Sequence, residues 1–141
     1  MLTRADIVAF VDAFNVDDLE AVMAFFADDA EYITFDGRHC RGKAAIREEF
    51  SAQFAGRYGR LRFLRDKLIV DAEAGLAAVS WRCEHGLEGS GPHPLLRRGL
   101  ALLTGRKPYW EGVDLFRFRQ GRLTGKYTYA RTRLPLFHRA G

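Results

Sequence analysis

The order of hydrophobic and polar residues predicts three helices in the N-terminal part of the chain. The first helix begins after Thr3, a residue type that caps helices, and Asp6 is placed to complete a capping box. A cap at Asp17 or Asp18 starts the second helix, and the third lies within residues 42–56. Each helix carries apolar residues at helical spacing: Ile7, Val8, Phe10, Val11 and Phe14; Leu19, Val22, Met23 and Phe26; Ile46, Phe50 and Phe54.

Strands are predicted mainly in the second half. Residues 31–35 alternate as a short strand before an Asp-Gly turn, which places His39 and Cys40 in a turn region. Two β-rich runs, 60–72 and 75–88, are joined by a turn, and a hairpin around residues 119–121 joins the last two strands. The segment 95–108 fits either a short helix or a loop that runs into an edge strand.

This order of elements predicts a single α+β domain over residues 1–141. The expected architecture is a conical barrel, in which a curved antiparallel sheet wraps around three N-terminal helices. A strongly twisted sheet of this kind leaves a pocket between itself and the helices.

Composition narrows the class of protein. The chain is 48% hydrophobic and 13% aromatic, typical of a globular domain, and no apolar run is long enough to span a membrane. Its net charge of +4 is spread over scattered arginines, so we expect no nucleic-acid partner.

Cys40 and Cys83 form neither a disulfide framework nor a zinc pattern. Asp6 interrupts the first apolar run, which argues against a signal peptide, and we expect a cytoplasmic protein.

The segment "EGVDLFRFRQGRLTG" at 111–125 carries the sharpest functional signal. Period two places Asp114 on one strand face with Phe116 and Phe118. Burial among aromatic residues, including Trp81 and Trp110, disfavours the charged form of a carboxyl group, so Asp114 is expected to keep its proton near neutrality. A neutral carboxylic acid can donate a proton to a carbonyl oxygen and stabilise an enolate. The alternative is an Asp paired only to satisfy the sheet.

Three other side chains bear on the role of Asp114. His85 shares strand parity with Trp81 and is a candidate base, although a solvated and idle His85 is equally consistent with the pattern. A two-residue turn would place Tyr127 opposite Asp114, and a three-residue loop would place Lys126 there. A lysine would hold Asp114 ionised, which suits a base better than an acid. Cys83, His85 and Asp114 lack further ligands at metal-binding spacing, so no metal is expected.

Two stretches, "DDLEAVMAFFADDAEYITFDGRHCRGKAAIREEF" and "GVDLFRFRQGRLTG", resemble the nuclear transport factor two-like superfamily. SnoaL-like polyketide cyclases and ketosteroid isomerases are the nearest relatives, over residues 5–130. The resemblance implies a cystatin-like, SnoaL-like cone with a deep hydrophobic pocket, usually no cofactor, and a homodimer packed through the outer sheet face. It implies an acidic catalytic role for Asp114, and strand parity makes His85 its candidate partner. The resemblance and the strand pattern together give as candidate ligand-binding residues Phe10, Phe14, Phe26, Tyr32, Thr34, Phe50, Trp81, Cys83, Trp110, Phe116, Lys126 and Thr128.

The chain departs from two family mechanisms. Thr34 stands where the isomerases have a general-base Asp, and Phe10 stands where they have a Tyr oxyanion donor. Limonene epoxide hydrolases need an Arg and two Asp where this chain has Trp81, Cys83 and Thr128. The remaining hypothesis is a cofactor-free acid–base cyclase or isomerase that acts on a hydrophobic, carbonyl-bearing polyketide- or steroid-like molecule. The alternative is a module on the same fold that binds a small molecule, or a second copy, without catalysis. Within the loop 87–109, residues 95–107 fit a solvated loop or a basic lid that meets an anionic substrate or a carrier-protein arm. The basic tail, residues 131–141, could fold over the pocket mouth, contact a dimer partner or fray.

Overall fold

The computed structural model of the chain describes residues 1–57, 61–85 and 109–133, and of residues 61, 84, 85, 132 and 133 only the backbone. Within these ranges lie three helices and six strands. In chain order they are α1 (Arg4–Asn15), α2 (Leu19–Ala24), β1 (Phe26–Ile33), β2 (His39–Arg41), α3 (Lys43–Phe54), β3 (Leu61–Asp71), β4 (Leu76–His85), β5 (Tyr109–Arg119) and β6 (Arg122–Arg133). The segment 95–108 and residues 134–141 of the basic tail lie outside the described residues.

The strands form one curved sheet in the order β2-β1-β6-β5-β4-β3. The expectation of an α+β cone is confirmed, because three helices pack against an open six-stranded sheet. The sheet is not wholly antiparallel, however, since β1 runs parallel to β6. A parallel neighbour requires a long crossover, and here the whole of α3 and β2–β5 separates the two strands.

The helix predictions hold with one correction. Thr3 and Asp6 form the predicted capping box at α1, and the side chain of Asp18 caps α2. Phe26 does not extend α2, because it begins β1 and pairs with Leu123 of β6. Local spacing cannot distinguish these states, since a residue four positions after Val22 suits a helix and a strand start alike.

The turn region predicted for His39 and Cys40 is wrong. Both residues belong to β2, which pairs antiparallel with β1 through Tyr32↔Cys40 and Ile33↔His39. The turn itself lies just before, where Gly37 adopts a positive φ of 83° that favours glycine. The strand after the turn is only three residues long, too short to show a clear period of two in the sequence.

Aromatic rings from the helices and the sheet form the core. Phe10 of α1 lies edge-on to Phe26 and Phe116, with ring centroids 6.0 and 5.4 Å apart. Phe50 of α3 lies 5.7 Å from Phe26 and 5.1 Å from Tyr32. Edge-on aromatic pairs add to the free energy gained by burying their large apolar area. This packing fixes the helices against the concave face of the sheet.

The register of the β5–β6 hairpin decides which residue lies opposite Asp114. The turn is two residues long, since Arg119 pairs with Arg122, but a bulge follows where Arg117 pairs with Gly125. The bulge inserts one residue into β6, so Thr128 lies opposite Asp114. Neither Tyr127 nor Lys126 occupies that position, and both sequence alternatives for the register are wrong.

The convex face of the sheet carries exposed apolar residues. The strand register puts five of them on this one face, with exposed fractions from 41 to 68%: Leu64, Ile69, Leu76, Leu115 and Tyr129. This is the surface through which the family resemblance implies dimerisation. No described helix is long and apolar enough to cross a membrane.

Candidate functional site

A small cavity lies between the concave face of the sheet and helices α1 and α3. Its volume is about 50 Å³, several times the roughly 10–15 Å³ that one water molecule needs. Aromatic rings form most of its wall and a few polar groups lie at one end. The described residues that line it are Phe10, Val11, Phe14, Tyr32, Phe35, Gln53, Phe63, Val79, Trp81, Trp110, Asp114, Lys126 and Thr128.

Asp114, Lys126 and Thr128 form a hydrogen-bonded triangle at the polar end of the cavity. Lys126 Nζ lies 3.1 Å from Asp114 Oδ1, and it donates a hydrogen bond to Thr128 Oγ1 at 2.7 Å. The hydroxyl group of Thr128 donates in turn to Asp114 Oδ1 at 2.6 Å. Both contacts go to the same carboxylate oxygen. No described residue donates a hydrogen bond to Asp114 Oδ2, so this oxygen is available to a ligand.

The lysine of this triangle is more deeply buried than the carboxylate. The side chain of Lys126 is 5% exposed and that of Asp114 is 14% exposed. Burial acts to lower the pKa of Lys126, but the negative charge of Asp114 and the contact with Tyr32 outweigh it, so the pKa is raised above its ordinary value. Lys126 Nζ also lies 4.6 Å from the centroid of the Tyr32 ring. Lys126 is therefore an ammonium group at neutral pH.

The ion pair changes the surroundings expected for Asp114. The sequence predicts an acid among apolar side chains, whereas the structure places the Lys126 cation 3.1 Å from its carboxyl group. The role of Asp114 as a proton donor stays a prediction, and the arrangement also suits a carboxylate that accepts a proton.

A second polar chain reaches the cavity from α3. The hydroxyl group of Tyr32 has hydrogen-bonding contacts with Gln53, Thr128 and Lys126, and burial raises its pKa. Gln53 Nε2 donates to Glu49 Oε1 at 3.0 Å, so Gln53 links Tyr32 to Glu49. Glu49 is only 5% exposed. This chain holds Tyr32 in place at the edge of the triangle.

Two arginines compensate the buried charge of Glu49. Arg38 makes a bidentate contact with its carboxylate, at 2.9 Å for both pairs of atoms, and Arg57 lies 3.1 Å away. Planar guanidinium groups suit this geometry. The polar chain from Glu49 to Lys126 is thereby anchored at its outer end.

Trp81 forms the wall next to β5. Its indole Nε1 is buried and has no hydrogen-bond partner among the described residues. The ring lies against Gly112, where a Cβ atom would come within 2.6 Å of Trp81 Cζ2 and 2.3 Å of the backbone oxygen of Tyr129. Glycine at position 112 is thus required by the close approach of the indole ring.

The structure brings seven of the predicted ligand-binding residues to the cavity wall. They are Phe10, Phe14, Tyr32, Trp81, Trp110, Lys126 and Thr128, together with the predicted catalytic Asp114. Phe26, Phe50 and Phe116 are instead fully buried in the core, and Cys83 is buried without lining the described cavity. For these four residues, the expected contact with a ligand is not supported.

Thr34 also lies away from the described cavity. It is buried just after β1, where its hydroxyl group bonds to Asp36 and accepts from the backbone N–H of Arg38 at 3.0 Å. Thr34 therefore stabilises the turn that follows β1. The position at which the isomerases have their general base is therefore structural in this chain.

The proposed pairing of His85 with Asp114 is not supported by the backbone register. Asp114 lies opposite Val79, and His85 ends β4 six residues further along the strand, a separation of roughly 20 Å at about 3.3 Å per residue. The side chain of His85 is outside the described residues. Within the described part of the chain, no group of three potential ligands is placed to hold a metal ion.

Five lining residues were missed by the sequence analysis. Gln53 had a usable signal, because it is a polar residue three positions after the buried Phe50 on an otherwise apolar helix face. Val11 was predicted to face inward but not to contact a ligand. Phe63 and Val79 reach the cavity through the curvature of the sheet, and Phe35 reaches it from the turn after β1; no local pattern reveals either.

Solved structures share this architecture. SalBIII, an epoxide hydrolase/cyclase-like enzyme in pyran ring formation in the polyether salinomycin, is similar with a TM-score of 0.68 at 15% identity, over 91% of this chain and 89% of its own. A proposed polyketide cyclase from Xanthomonas campestris pv. campestris has a TM-score of 0.67 at 20% identity, covering 89% and 87% of the two chains. A cystatin-fold protein from Novosphingobium aromaticivorans has a TM-score of 0.68 at 15% identity, covering 88% and 94%. Identities this low establish the fold alone.

The comparison of sequences identifies the family of the chain. No curated protein sequence matches the chain. The sequence model of the SnoaL-like domain matches residues 7–125, which include most of α1, all of β1, the strand that carries Asp114 and the start of β6. The match spans most of the 141 residues, in agreement with the cone and its cavity. The chain belongs to the SnoaL-like domain family.

Proposed function

We propose that the protein is a cofactor-free acid–base enzyme in which the Asp114 carboxylate removes a proton from a carbon next to a carbonyl group. The observation that carries this proposal is the arrangement of the carboxylate oxygens. Oδ1 is held by Lys126 and Thr128, and Oδ2 is free of described donors at the wall of an aromatic cavity. A carboxylate fixed by one oxygen and open at the other is suited to general-base catalysis.

The neighbouring groups support the same role. Lys126 Nζ, 3.1 Å from Asp114 Oδ1, holds the carboxyl group in place and provides it with an opposite charge. Removal of a proton next to a carbonyl group places negative charge on the carbonyl oxygen, which needs a hydrogen-bond donor. Tyr32 lines the same cavity beside Lys126 and is the nearest described candidate. Isomerisation and intramolecular aldol closure both begin with this step.

The volume of the cavity bears on the class of substrate. About 50 Å³ is well below the roughly 300–1,000 Å³ of a pocket that encloses a drug-sized ligand. We infer that the substrate is a compact, hydrophobic carbonyl compound, or a larger polyketide-like molecule of which one ring enters. The aromatic wall selects for apolar rings.

Hydrogen exchange into a small ketone tests the proposal directly. Cyclopentanone in D₂O is the probe, and the loss of its α-hydrogen signal is followed by proton NMR. We expect exchange above the buffer rate, and a fall of at least roughly a hundredfold in Asp114→Asn, because general-base catalysis contributes about that much or more. Unchanged exchange in Asp114→Asn would disprove the proposal.

Glu111→Gln is the matched control for this experiment. Glu111 lies on the same strand with 30% of its side chain exposed, and it pairs with Arg131 at 2.6 Å on the other face of the sheet. We expect it to leave exchange unchanged. If Asp114→Asn alone fails to fold, the double variant Asp114→Asn/Lys126→Met is used instead. It removes both charges, so no unpaired charge is left buried, and it tests whether exchange is lost without the Asp114 carboxylate.

A second candidate function is non-catalytic binding of a small apolar molecule. The observation that favours it is the closed triangle, in which Asp114, Lys126 and Thr128 satisfy one another without a ligand. In that case the triangle serves the stability of the sheet. An Asp114→Asn variant would then lower the melting temperature while the binding of cyclopentanone persisted, and no exchange would be detected with either form.

We also propose that the protein forms a homodimer through the convex face of the sheet. The five exposed apolar residues on that face support this, since exposed apolar side chains gathered on one face of a domain suit an interaction site. Tyr129, 63% exposed, is the largest side chain of the patch.

A further inference from the structure

Lys126 is an amine in an unusual place. It is the one lysine among the described residues that lines the cavity, and its side chain is 5% exposed. Lys67, on β3, has the opposite environment with 79% of its side chain exposed. Amines held in apolar pockets form covalent bonds with carbonyl compounds more readily than solvated amines do.

The groups next to Lys126 are those that such chemistry needs. Asp114 Oδ1, 3.1 Å from Nζ, is placed to take a proton from the ammonium group. Thr128 Oγ1 contacts both Lys126 and Asp114 and offers a second route for the same proton. Transfer of the proton turns the ion pair into a neutral amine and a neutral acid, and an apolar ligand that displaces water from the cavity would favour this transfer, because charges are costly in apolar surroundings.

We propose that Lys126 forms a Schiff base with a small ketone or aldehyde bound in the cavity, and that Asp114 relays the protons of that reaction. The inference rests on the proposed function in one respect only, which is that the ligand carries a carbonyl group. It adds a covalent intermediate that general-base catalysis by Asp114 does not require.

The bonds and protons of the step balance. After Lys126 has passed one proton to Asp114, the nitrogen lone pair forms a bond to the carbonyl carbon, and the carbonyl π electrons move to oxygen. A proton passes from nitrogen to that oxygen to give a carbinolamine. Asp114 then returns its proton to the hydroxyl group, the carbon–oxygen bond breaks, water leaves, and the nitrogen lone pair forms the carbon–nitrogen double bond. The products are an iminium ion, one water molecule and the Asp114 carboxylate.

The regenerated carboxylate is placed for the next step. An iminium ion draws electrons more strongly than a ketone does, so the neighbouring carbon–hydrogen bond becomes more acidic. Asp114 Oδ2 can accept that proton while the bonding electrons form an enamine. The aromatic wall, with Phe10, Phe14 and Trp81, keeps the iminium ion away from bulk water.

Reductive trapping tests the inference on the wild-type protein. The protein is incubated with cyclopentanone and sodium cyanoborohydride, which delivers hydride to an iminium ion and leaves a stable cyclopentyl amine. Peptide mapping by mass spectrometry then locates the adduct. We expect Lys126 to be modified faster than Lys67 by at least roughly tenfold, because the cavity holds the ketone beside the side chain of Lys126.

Lys126→Arg is the matched variant, because it keeps the positive charge beside Asp114 and cannot form an imine. We expect it to lose the adduct at this position while Lys67 reacts as before. An adduct on Lys67 equal to or greater than that on Lys126 would overturn the inference, and this comparison needs no variant at all. The comparison of Lys126 with Lys67 in the wild-type protein therefore tests the Schiff base even if Lys126→Arg does not fold.

Trapping and hydrogen exchange, measured on the same samples, separate this inference from the proposed function. Exchange that depends on Asp114 without an adduct on Lys126 overturns the Schiff base and leaves the base role of Asp114. An adduct on Lys126 without exchange supports the Schiff base and overturns the proposed function. The absence of both overturns both.

Discussion

Thr128 lies directly opposite Asp114 in the β5–β6 ladder, and its hydroxyl group donates a hydrogen bond to Asp114 Oδ1 at 2.6 Å. The same hydroxyl group accepts a hydrogen bond from Lys126, so the side chain of Thr128 links the ammonium group of Lys126 to the carboxyl group of Asp114. The position of this threonine depends on the bulge between Arg117 and Phe118. The geometry of the site is thus set by an irregularity in the sheet well away from it.

Thr128→Val is expected to reduce exchange into cyclopentanone while the shape of the cavity is kept. The substitution removes the donor to Asp114 and the acceptor for Lys126, so the carboxylate loses one of its two fixed contacts. We expect a decrease of roughly tenfold, as for other polar groups that orient a catalytic base. Proton NMR in D₂O measures it.

Thr124→Val is the control for that variant. Thr124 is buried on the same strand and its hydroxyl group donates to the backbone oxygen of Arg117 at 3.1 Å, outside the cavity. It should lower the free energy of unfolding by about 1 kcal/mol, the usual worth of a hydrogen bond, and leave exchange unchanged. Equal losses of exchange in the two variants would contradict a specific role for Thr128.

Lys126→Met is expected to destabilise the fold strongly. It leaves the Asp114 carboxylate without its cation, and breaking a buried pair in this way costs about 3–5 kcal/mol. Urea unfolding followed by circular dichroism measures the change in the free energy of unfolding. Lys67→Met, at an exposed position, should change it by less than about 0.5 kcal/mol. A similarly small effect at Lys126 would mean that the pair does not contribute to stability.

Gly112→Ala is expected to displace Trp81 and close part of the cavity. The added methyl group would meet the backbone oxygen of Tyr129, which cannot move without breaking the ladder. Gly125→Ala is the comparison, because there the close contact is the hydroxyl end of Tyr127, which can rotate away. We expect a lower melting temperature and a shifted tryptophan fluorescence spectrum for Gly112→Ala. A larger loss of stability in Gly125→Ala would contradict this view of the wall.

Stability should fall in mild acid because of Glu31. Hydrogen bonds from Tyr127 and His39 lower its pKa below the ordinary value of 4.5, and Arg117 adds to the effect. A carboxyl group with a lowered pKa in the folded state contributes stability that is present above about pH 4.5 and is lost as the pH falls through the folded pKa. Glu31→Gln should therefore destabilise the protein near pH 7 and approach the wild type near pH 3. A difference in unfolding free energy that is constant across this range would refute the linkage.

The proposed dimer predicts a change of mass on substitution of its interface. Tyr129→Arg places a charge at the largest exposed side chain of the convex face and should give a monomer in analytical ultracentrifugation. Val16, 73% exposed just after α1, provides the control Val16→Arg, which should remain dimeric. A wild-type protein that sediments as a monomer would exclude the interface.

The sequence predicts the elements well because their signals are local. The capping box of Thr3 and Asp6, the spacing of Ile46, Phe50 and Phe54, and the turn at Gly121 each depend on neighbours along the chain. Those features establish the helices and the hairpin, and the quoted motifs lead correctly to the SnoaL-like family.

The errors arise where distant residues decide. Phe26 begins a strand because Leu123 pairs with it, and Asp114 has a cationic partner because Lys126 lies on the neighbouring strand. That lysine is a diagonal neighbour across the ladder, where a long side chain reaches the next pair along. The bulge that creates this neighbour has only a weak trace in the sequence, the glycine at position 125.

The parallel pairing of β1 with β6 has a consequence for how the chain folds. The bond between Tyr127 and Glu31 joins residues 96 positions apart. During synthesis β1 therefore remains without this neighbour until nearly the whole domain has been made, and the apolar faces of Phe26 and Tyr32 stay uncovered. Contacts of such long range slow folding and expose intermediates to aggregation. The first strand to be synthesised, β1, is thus among the last to gain all its partners. A chain that ends before β6 would expose the unpaired edge of β1 to aggregation and would not form a smaller stable domain.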